Sequence, residues 1–244
     1  MAFDSLFSNL RKTATPHAVK RLLSAAEKEA GEPLVINAVR GLFLARLGQL
    51  DEAVDAVRPA VEAARKKDVK LHELTDLHPR SGRFAWHETG AKAFKGKAGK
   101  FSKDLVFLAE YFCTAPRPVD AATRARDVLG LDQAIVHACL GTGLEKKKPL
   151  EALEQFELAR TKAESTRDYR LYIEASAMAA SLCAATKNEK GALKVVTEAA
   201  DVARRWPGNF ENHGLINFDG RLKNAKPLAP LLKKPAFQAA LARD

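Results

Sequence analysis

Cysteine is scarce in this chain: three residues are present, and no two of them form a C-x-x-C pair. A disulfide-stabilised fold needs more cysteines than this, and a structural zinc site needs them in closely spaced pairs. Cys113, Cys139 and Cys183 each stand in an apolar, helix-like pattern. We therefore expect each to be a small buried side chain in a protein of a reducing compartment.

Long hydrophobic runs are also missing. No stretch approaches about 18 consecutive apolar residues, the length that indicates a membrane-spanning helix. The N-terminal part of the sequence has no continuous apolar core of the kind found in signal peptides. The sequence therefore predicts a soluble, cytoplasmic protein without a membrane span.

The motifs of common enzyme classes are absent as well. The chain has no G-x-S-x-G, no Walker-type G-x-x-x-x-G-K-[ST] and no G-x-G-x-x-G. Potential metal ligands do cluster in one stretch, at His72, Glu73, His78, His87 and Glu88. However, the separation of His72 and His78 does not place both on one helical face, as the H-E-x-x-H motif requires. We predict no catalytic residue, no metal site and no cofactor.

Aromatic residues make up only 7% of the chain, whereas apolar residues reach 46%. Strands are enriched in aromatic and β-branched residues, so this composition favours packed helices. Apolar residues recur at helical spacing throughout the chain, beginning with a stripe at Phe3, Leu6, Phe7 and Leu10. We expect this stripe to cap the first helical hairpin, with docking on a membrane surface or a second copy as the alternative. The sequence predicts an all-α protein.

Residues 33–67 carry the clearest pattern of a helical hairpin. The two helices are separated at Gly48, and the second begins with Asp51 and Glu52. Small residues stand where the helices would cross closely, with large apolar residues between them. The pattern consists of Gly41, Leu44, Gly48, Leu50, Ala53, Val57 and Ala60. It resembles the tetratricopeptide repeat, although Pro59 departs from it because a proline inside a helix removes a hydrogen bond.

Two later segments carry a weaker version of the same pattern. The equivalent positions are Ala152, Phe156, Ala159, Ala192, Val196 and Ala199. The resemblance implies an α-solenoid of antiparallel hairpins with degenerate repeats, in which residues 1–244 form a single domain. Its predicted parts are N-terminal capping helices (1–32), the best-matching hairpin (33–67), an irregular basic segment (68–104), further hairpins (105–206), and a loop with a C-terminal capping helix (207–244).

The resemblance also implies a function. Stacked hairpins form a groove that holds another protein or a peptide, so we expect a non-catalytic adaptor or scaffold. The groove positions that the resemblance implies are Leu42, Arg46, His137, Leu144, Glu174 and Ser181. Some subfamilies capture the acidic tail of a chaperone with lysines and asparagines, and these are missing at those positions.

The basic segment raises an alternative function. The formal charge of the chain is +10, and residues 67–104 hold nine Lys or Arg against five Asp or Glu. This concentration favours an anionic partner, and lysines beside aromatic rings are typical of single-stranded nucleic-acid binding. The candidate contacts are Trp86, Lys92, Lys95, Lys97, Lys100 and Lys103. The interpretation that we favour is a connection anchored by Phe84, Trp86, Phe94 and Phe101, with its lysines in solvent.

Overall fold

A computed structural model describes residues 33–67, 91–95, 98–113, 115–206 and 213–242, together with His17 and Ser24. These residues form ten α-helices and three short 3-10 helices, and no strand occurs among them. The predicted all-α class is therefore confirmed. The α-helices are α1 (Pro33–Arg46), α2 (Leu50–Lys66), α3 (Lys103–Phe112), α4 (Pro118–Asp127), α5 (Ala134–Leu144), α6 (Pro149–Thr166), α7 (Tyr169–Ala185), α8 (Glu189–Arg204), α9 (His213–Lys223) and α10 (Pro235–Leu241).

The contacts within the chain divide it into two compact units. Unit 1 comprises Met1–Arg83 and Phe101–Cys139, and unit 2 comprises Phe84–Lys100 and Leu140–Asp244. The single array that the sequence predicts stays a prediction. Within the described parts of both units, no helix is long and apolar enough to cross a membrane.

Unit 1 is built on the hairpin of α1 and α2. The two helices approach closely at Gly41, where an added β-carbon would lie 2.4 Å from Val57 Cγ2 and 2.8 Å from Ala53 O. A larger residue does not fit there without displacing backbone atoms. In the turn between the helices, Gly48 has a φ of 82°, which lies in the region that favours glycine. Helix α3 packs on both helices of the hairpin, and α4 packs on α2 and α3.

Unit 2 is built around α7, which is packed against α6, α8 and α9. Asp168 caps the N-terminus of α7, because its carboxylate accepts a hydrogen bond from Leu171 N at 3.0 Å. Helices α5 and α6 approach closely at Gly141, where an added β-carbon would lie 2.7 Å from Phe156 Cε1. Near the C-terminus, α10 packs on α8 through the buried ring of Phe237, in the place of the predicted capping helix.

Nine apolar positions of the predicted hairpins are completely buried. Each of them has 0% exposure: Ala53, Val57, Ala60, Ala152, Phe156, Ala159, Ala192, Val196 and Ala199. Their spacing of four and three residues places each triplet on one face of its helix. The sequence pattern therefore identified the faces of α2, α6 and α8 that enter the helix packing.

The structure differs from the sequence-based prediction at residues 213–223. The many glycines and asparagines there predicted a loop, but this segment forms α9. Leu215, Phe218 and Leu222 are spaced three and four residues apart, and none is more than 1% exposed. Burial of this apolar stripe outweighs the low helix propensity of glycine and asparagine.

Several predicted features lie outside the described residues. They include the capping helices of residues 1–32 apart from two isolated positions, most of the basic segment, and the loop at 207–212. The potential ligands His72, Glu73, His78, His87 and Glu88 also lie outside them. Among the residues that are described, no group of three or more His, Cys, Asp or Glu could hold a metal ion.

Candidate functional site

Two clefts in unit 2 lie along one face of α7 and are bordered by α9; we refer to them together as the α7 groove. Its lining on α7 consists of Tyr169, Arg170, Ile173, Glu174, Ala177, Met178 and Ser181. These residues recur every three or four positions, so they share one side of the helix. The opposite wall and the end are formed by Glu145, Asn217, Gly220, Arg221, Asn224 and Ala225.

The α7 groove consists of two clefts, with volumes of about 390 Å³ and 460 Å³. Arg221 and Asn224 line both clefts, so the two are neighbours. The first cleft is lined by two arginines and by no described carboxylate, whereas the second contains Glu145 and Glu174. The groove therefore has a basic end and an acidic end.

Glu174 lies between two guanidinium groups. Its Oε1 accepts a hydrogen bond from Arg170 Nε at 3.1 Å and lies 3.3 Å from Arg221 Nη2. All three side chains keep contact with solvent, with exposures of 36% for Arg170, 42% for Arg221 and 25% for Glu174. Because each guanidinium has five N–H donors and this carboxylate oxygen uses few of them, both arginines can bind a further anion.

Two of the six predicted groove residues, Glu174 and Ser181, line the α7 groove. Leu144 is half-buried in unit 2 and is not among the described residues of the groove lining. The arginines and Asn224 were not identified from the sequence. The spacing of the α9 stripe could have revealed Arg221, because it places Arg221 and Asn217 together on one face of that helix.

The other three predicted groove residues belong to unit 1. Leu42 is part of its core and is 2% exposed, whereas Arg46 is half-buried. His137 is also buried, and its Nε2 lies 2.6 Å from Asp132 Oδ1. A buried imidazole that is engaged by a carboxylate contributes to the local packing of unit 1.

The face of α7 that carries Tyr172 and Ser176 has a different character. There the guanidinium of Arg160 donates hydrogen bonds from Nε to Ser176 Oγ at 3.0 Å and from Nη2 to Tyr172 Oη at 3.3 Å. It also bonds two carboxylates, Glu157 at 2.6 Å and Glu198 at 2.8 Å. We refer to these five residues as the Arg160 cluster. It links α6, α7 and α8.

The Arg160 side chain is only 6% exposed. Burial lowers the pKa of Arg160, but the interactions with Tyr172, Glu198 and Glu157 outweigh it, and the net shift is upward. The guanidinium also lies 5.4 Å from the centroid of the Tyr172 ring, within the range of a cation–π interaction. Arg160 therefore stays charged, and its guanidinium is hydrogen-bonded to the other four residues of the cluster.

Residues 91–95 of the basic segment pack on this same side of α7. Phe94 is buried and meets Tyr172 edge-to-face, with ring centroids 5.2 Å apart. Arg167 lies over the Phe94 ring at 5.4 Å, and Arg205 Nε donates a hydrogen bond to Ala93 O at 2.9 Å. Phe94 thus anchors residues 91–95 to the rest of unit 2, and its ring is packed against Tyr172 and Arg167.

The candidate anion-binding lysines are only partly described. Lys92, Lys95 and Lys100 in unit 2 and Lys103 in unit 1 are exposed, whereas Trp86 and Lys97 lie outside the described residues. Lys95 borders a cleft of about 400 Å³ beside the Arg160 cluster. The carboxylates of that cleft are Glu157, Glu164, Glu198 and Asp201. They outnumber its three basic residues, so the cleft does not favour a polyanion.

Compared with known proteins, this chain matches no protein-family model, no curated protein and no solved structure. The tetratricopeptide resemblance therefore rests on the residues of the hairpins themselves. What the α7 groove can bind is inferred from its own geometry and charge.

Proposed function

We propose that the protein is a cytoplasmic, non-catalytic adaptor that holds a peptide segment of a partner protein in the α7 groove. One observation carries this proposal: two neighbouring clefts are lined by one side of α7 from Tyr169 to Ser181. At about 1.5 Å of rise per residue, this run covers about 18 Å, the length of about five extended residues. A groove of that length suits a strand-like peptide better than a compact metabolite.

The charges along the groove support one orientation of the peptide. Arg170 and Arg221 at the basic end suit an acidic side chain or a C-terminal carboxylate, to which arginine can donate two parallel hydrogen bonds. Glu145 at the other end suits a lysine or an arginine. Between them, Met178 offers a polarizable and adaptable apolar surface. The amide of Asn224 can donate to and accept from a peptide backbone.

The finer architecture, a solenoid of tetratricopeptide-like hairpins, belongs to the same proposal. It is supported by the close helix approaches at Gly41 and Gly141. A second support is the repetition of one backbone geometry: Gly48 and Lys187 both have a φ in the left-handed region, at 82° and 61°. Each stands five residues before the first alanine of its buried triplet. Repetition of one structural unit predicts this correspondence.

The nucleic-acid alternative has weaker support. Lys95 borders a cleft in which carboxylates outnumber basic residues. Phe94 is engaged by Tyr172 and Arg167 and does not offer a free face to a base. The exposed lysines alone do not distinguish a binding surface from a solvated one.

Selection from a library of random peptides, displayed on phage, tests the proposed function. Selected peptides are synthesised, and their affinity is measured by fluorescence anisotropy for the unmodified protein and for an Arg170→Gln/Arg221→Gln double variant. We expect peptides enriched in an acidic residue at one position. We expect the double variant to bind them about 10- to 100-fold more weakly, because hydrogen bonds to charged groups contribute about 1.5–3 kcal/mol.

Lys223→Gln is the matched control. Lys223 is on the same helix as Arg221, but it pairs with Asp219 at 2.6 Å and is not among the residues that line the groove. We expect it to bind the selected peptides unchanged. If no peptide is selected, or if the double variant binds as well as the unmodified protein, the groove is not the binding site. Oligonucleotide binding that is lost only in a Lys92→Gln/Lys95→Gln/Lys100→Gln variant would instead favour the nucleic-acid alternative.

A further inference from the structure

One of the two clefts of the α7 groove is lined by two arginines and by no described carboxylate; we refer to it as the basic cleft. Both arginines contact one oxygen atom of Glu174, which lines the neighbouring cleft. This Oε1 lies 3.1 Å from Arg170 Nε and 3.3 Å from Arg221 Nη2. Because both nitrogens are within reach of a single oxygen atom, one small anion in the basic cleft can also contact both guanidinium groups. The lining of the basic cleft is Tyr169, Arg170, Ile173, Asn217, Gly220, Arg221 and Asn224.

Gly220 leaves part of the wall of the basic cleft open. It lies within α9, where glycine is a poor helix former. A β-carbon added to Gly220 would have no described atom within 4 Å, whereas one added to Gly214 on the same helix would lie 2.4 Å from Ala203 O. Close helix packing therefore does not require glycine at position 220, and its φ is not in the positive region that favours glycine. What the missing side chain provides is open space at the cleft wall.

The charges around the basic cleft fit an anion with a single negative charge. Two guanidinium groups and the one carboxylate that they share leave one net positive charge. A carboxylate carries one negative charge, whereas a phosphate monoester carries about 1.5 to 2 at pH 7. A dianion would place its additional charge beside the carboxylate of Glu174, and like charges at short distance repel each other. Glu174 is only 25% exposed, so solvent screens this repulsion in part.

We propose that the basic cleft binds a singly charged carboxylate group, and that Glu174 selects this group over doubly charged anions such as a phosphate monoester. The proposal rests on the proposed function, because the carboxylate belongs to the peptide that the α7 groove holds. An acidic side chain and the C-terminus of a chain both supply such a group, to which arginine can donate two parallel hydrogen bonds. Glu174 competes with every anion for the two arginines, but it disfavours a dianion more, because the repulsion increases with charge.

Small anions test the basic cleft without a partner peptide. N-acetylglycine presents a chain-terminal carboxylate, the α-methylamide of N-acetylaspartate presents a side-chain carboxylate, and sulfate is a dianion. Each is titrated at constant ionic strength into the isotopically labelled full-length protein. The Nε signals of Arg170 and Arg221 in NMR spectra report the dissociation constants. We expect at least one carboxylate to bind more tightly than sulfate, and a difference between the two carboxylates identifies which source the cleft prefers.

Glu174→Gln should shift this preference towards the dianion. We expect the ratio of the sulfate affinity to the carboxylate affinity to rise at least about 3-fold, because one partly exposed like charge is removed. Asp219→Asn is the matched control, because it removes a carboxylate that is also 25% exposed but pairs with Lys223 and does not line the cleft. It should leave the ratio unchanged.

Gly220→Leu tests whether the open space is where the anions bind. Leucine fills that space and is a better helix former than glycine. The variant should therefore bind all three anions several-fold more weakly without a lower midpoint of urea unfolding. Circular dichroism establishes that each variant is folded, and Gly220→Met is used where the leucine variant is not.

The proposal is overturned if no anion shifts the two arginine signals, or if the unmodified protein binds sulfate more tightly than both carboxylates. An unchanged ratio in Glu174→Gln, or unchanged anion binding in the Gly220 variant, overturns it as well. If library peptides bind through the two arginines but the ratio does not change, the proposed selectivity is wrong and the proposed function stands. If the anions behave as expected but no peptide is selected, the cleft is a carboxylate site and the proposed function fails.

Discussion

The two faces of α7 use similar residues in different ways. On one face, the buried guanidinium of Arg160 is bonded to Tyr172, Ser176 and two carboxylates. On the other face, Arg170 and Arg221 share the carboxylate of Glu174 and stay 36% and 42% exposed. A buried charge must be paired for the fold to be stable, whereas half-exposed charges exchange partners with little loss of free energy. The first face therefore holds helices together, whereas the charged groups of the second keep contact with solvent.

The same contrast is visible in two tyrosines that are three residues apart. Tyr169 and Tyr172 are each 5% exposed. The hydroxyl of Tyr172 accepts a hydrogen bond from Arg160, whereas the hydroxyl of Tyr169 has no hydrogen-bond partner within the described part of the chain. The ring of Tyr169 stacks on Trp206, with centroids 4.0 Å apart. Tyr169 is thus held in place by packing of its ring, whereas Tyr172 is held both by packing of its ring and by a hydrogen bond to its hydroxyl.

The largest expected effect comes from removing the charge of Arg160. Arg160→Met should lower the free energy of unfolding by about 3 kcal/mol, because it breaks a buried, hydrogen-bonded ion pair. Glu157 and Glu198 are 45% and 44% exposed and can be solvated, so the loss stays at the lower end of the usual range. Arg170→Met, on the groove face, should change the free energy of unfolding by less than about 1 kcal/mol. Urea unfolding measures both, and equal losses would remove the distinction between the two faces.

The tyrosine pair gives a smaller effect with opposite signs. Tyr172→Phe should lower the free energy of unfolding by about 1 kcal/mol, because the hydrogen bond from Arg160 is lost. Tyr169→Phe should raise it by up to about 1 kcal/mol, because an unpaired buried hydroxyl is removed while the ring still stacks on Trp206. Both variants can be compared by urea unfolding at neutral pH. A loss of stability in both would mean that the Tyr169 hydroxyl is also bonded.

The smallest expected effect is the contribution of the two tyrosines to the free energy of unfolding at alkaline pH. Burial raises the pKa of Tyr169 and of Tyr172 from 10.0, although Arg221 and Arg160 respectively lower it. As the pH rises above the unfolded value, the tyrosines of the unfolded chain release protons while those of the folded chain keep them. The unfolded state then binds fewer protons, so the free energy of unfolding falls with increasing pH.

Tyr169→Phe isolates this contribution. The variant should show a shallower fall above about pH 10 than the unmodified protein, and the same slope between about pH 7 and 9, where tyrosine does not titrate. Chemical unfolding over a pH series provides the measurement. Identical slopes above about pH 10 would show that the Tyr169 hydroxyl ionises as readily in the folded state as in the unfolded state.

Much of the fold could be predicted from local pattern. The turn at Gly48 and the nine buried positions of the hairpins followed from residue spacing. Helix α9 was predicted to be a loop, because the sequence there has many glycines and asparagines and its apolar stripe consists of only three residues. Among the residues that line the α7 groove, Glu174 and Ser181 were also predicted as groove positions, whereas Arg170, Arg221 and Asn224 were not.

The sequence by itself determined the helical class of this protein and which helix faces are buried, because both depend on residues three and four positions apart. Only the tertiary structure decided which polar groups meet. Arg160 and Glu198 are 38 residues apart and come together through the packing of α6, α7 and α8. Such contacts depend on how helices pack in space, which no local periodicity encodes.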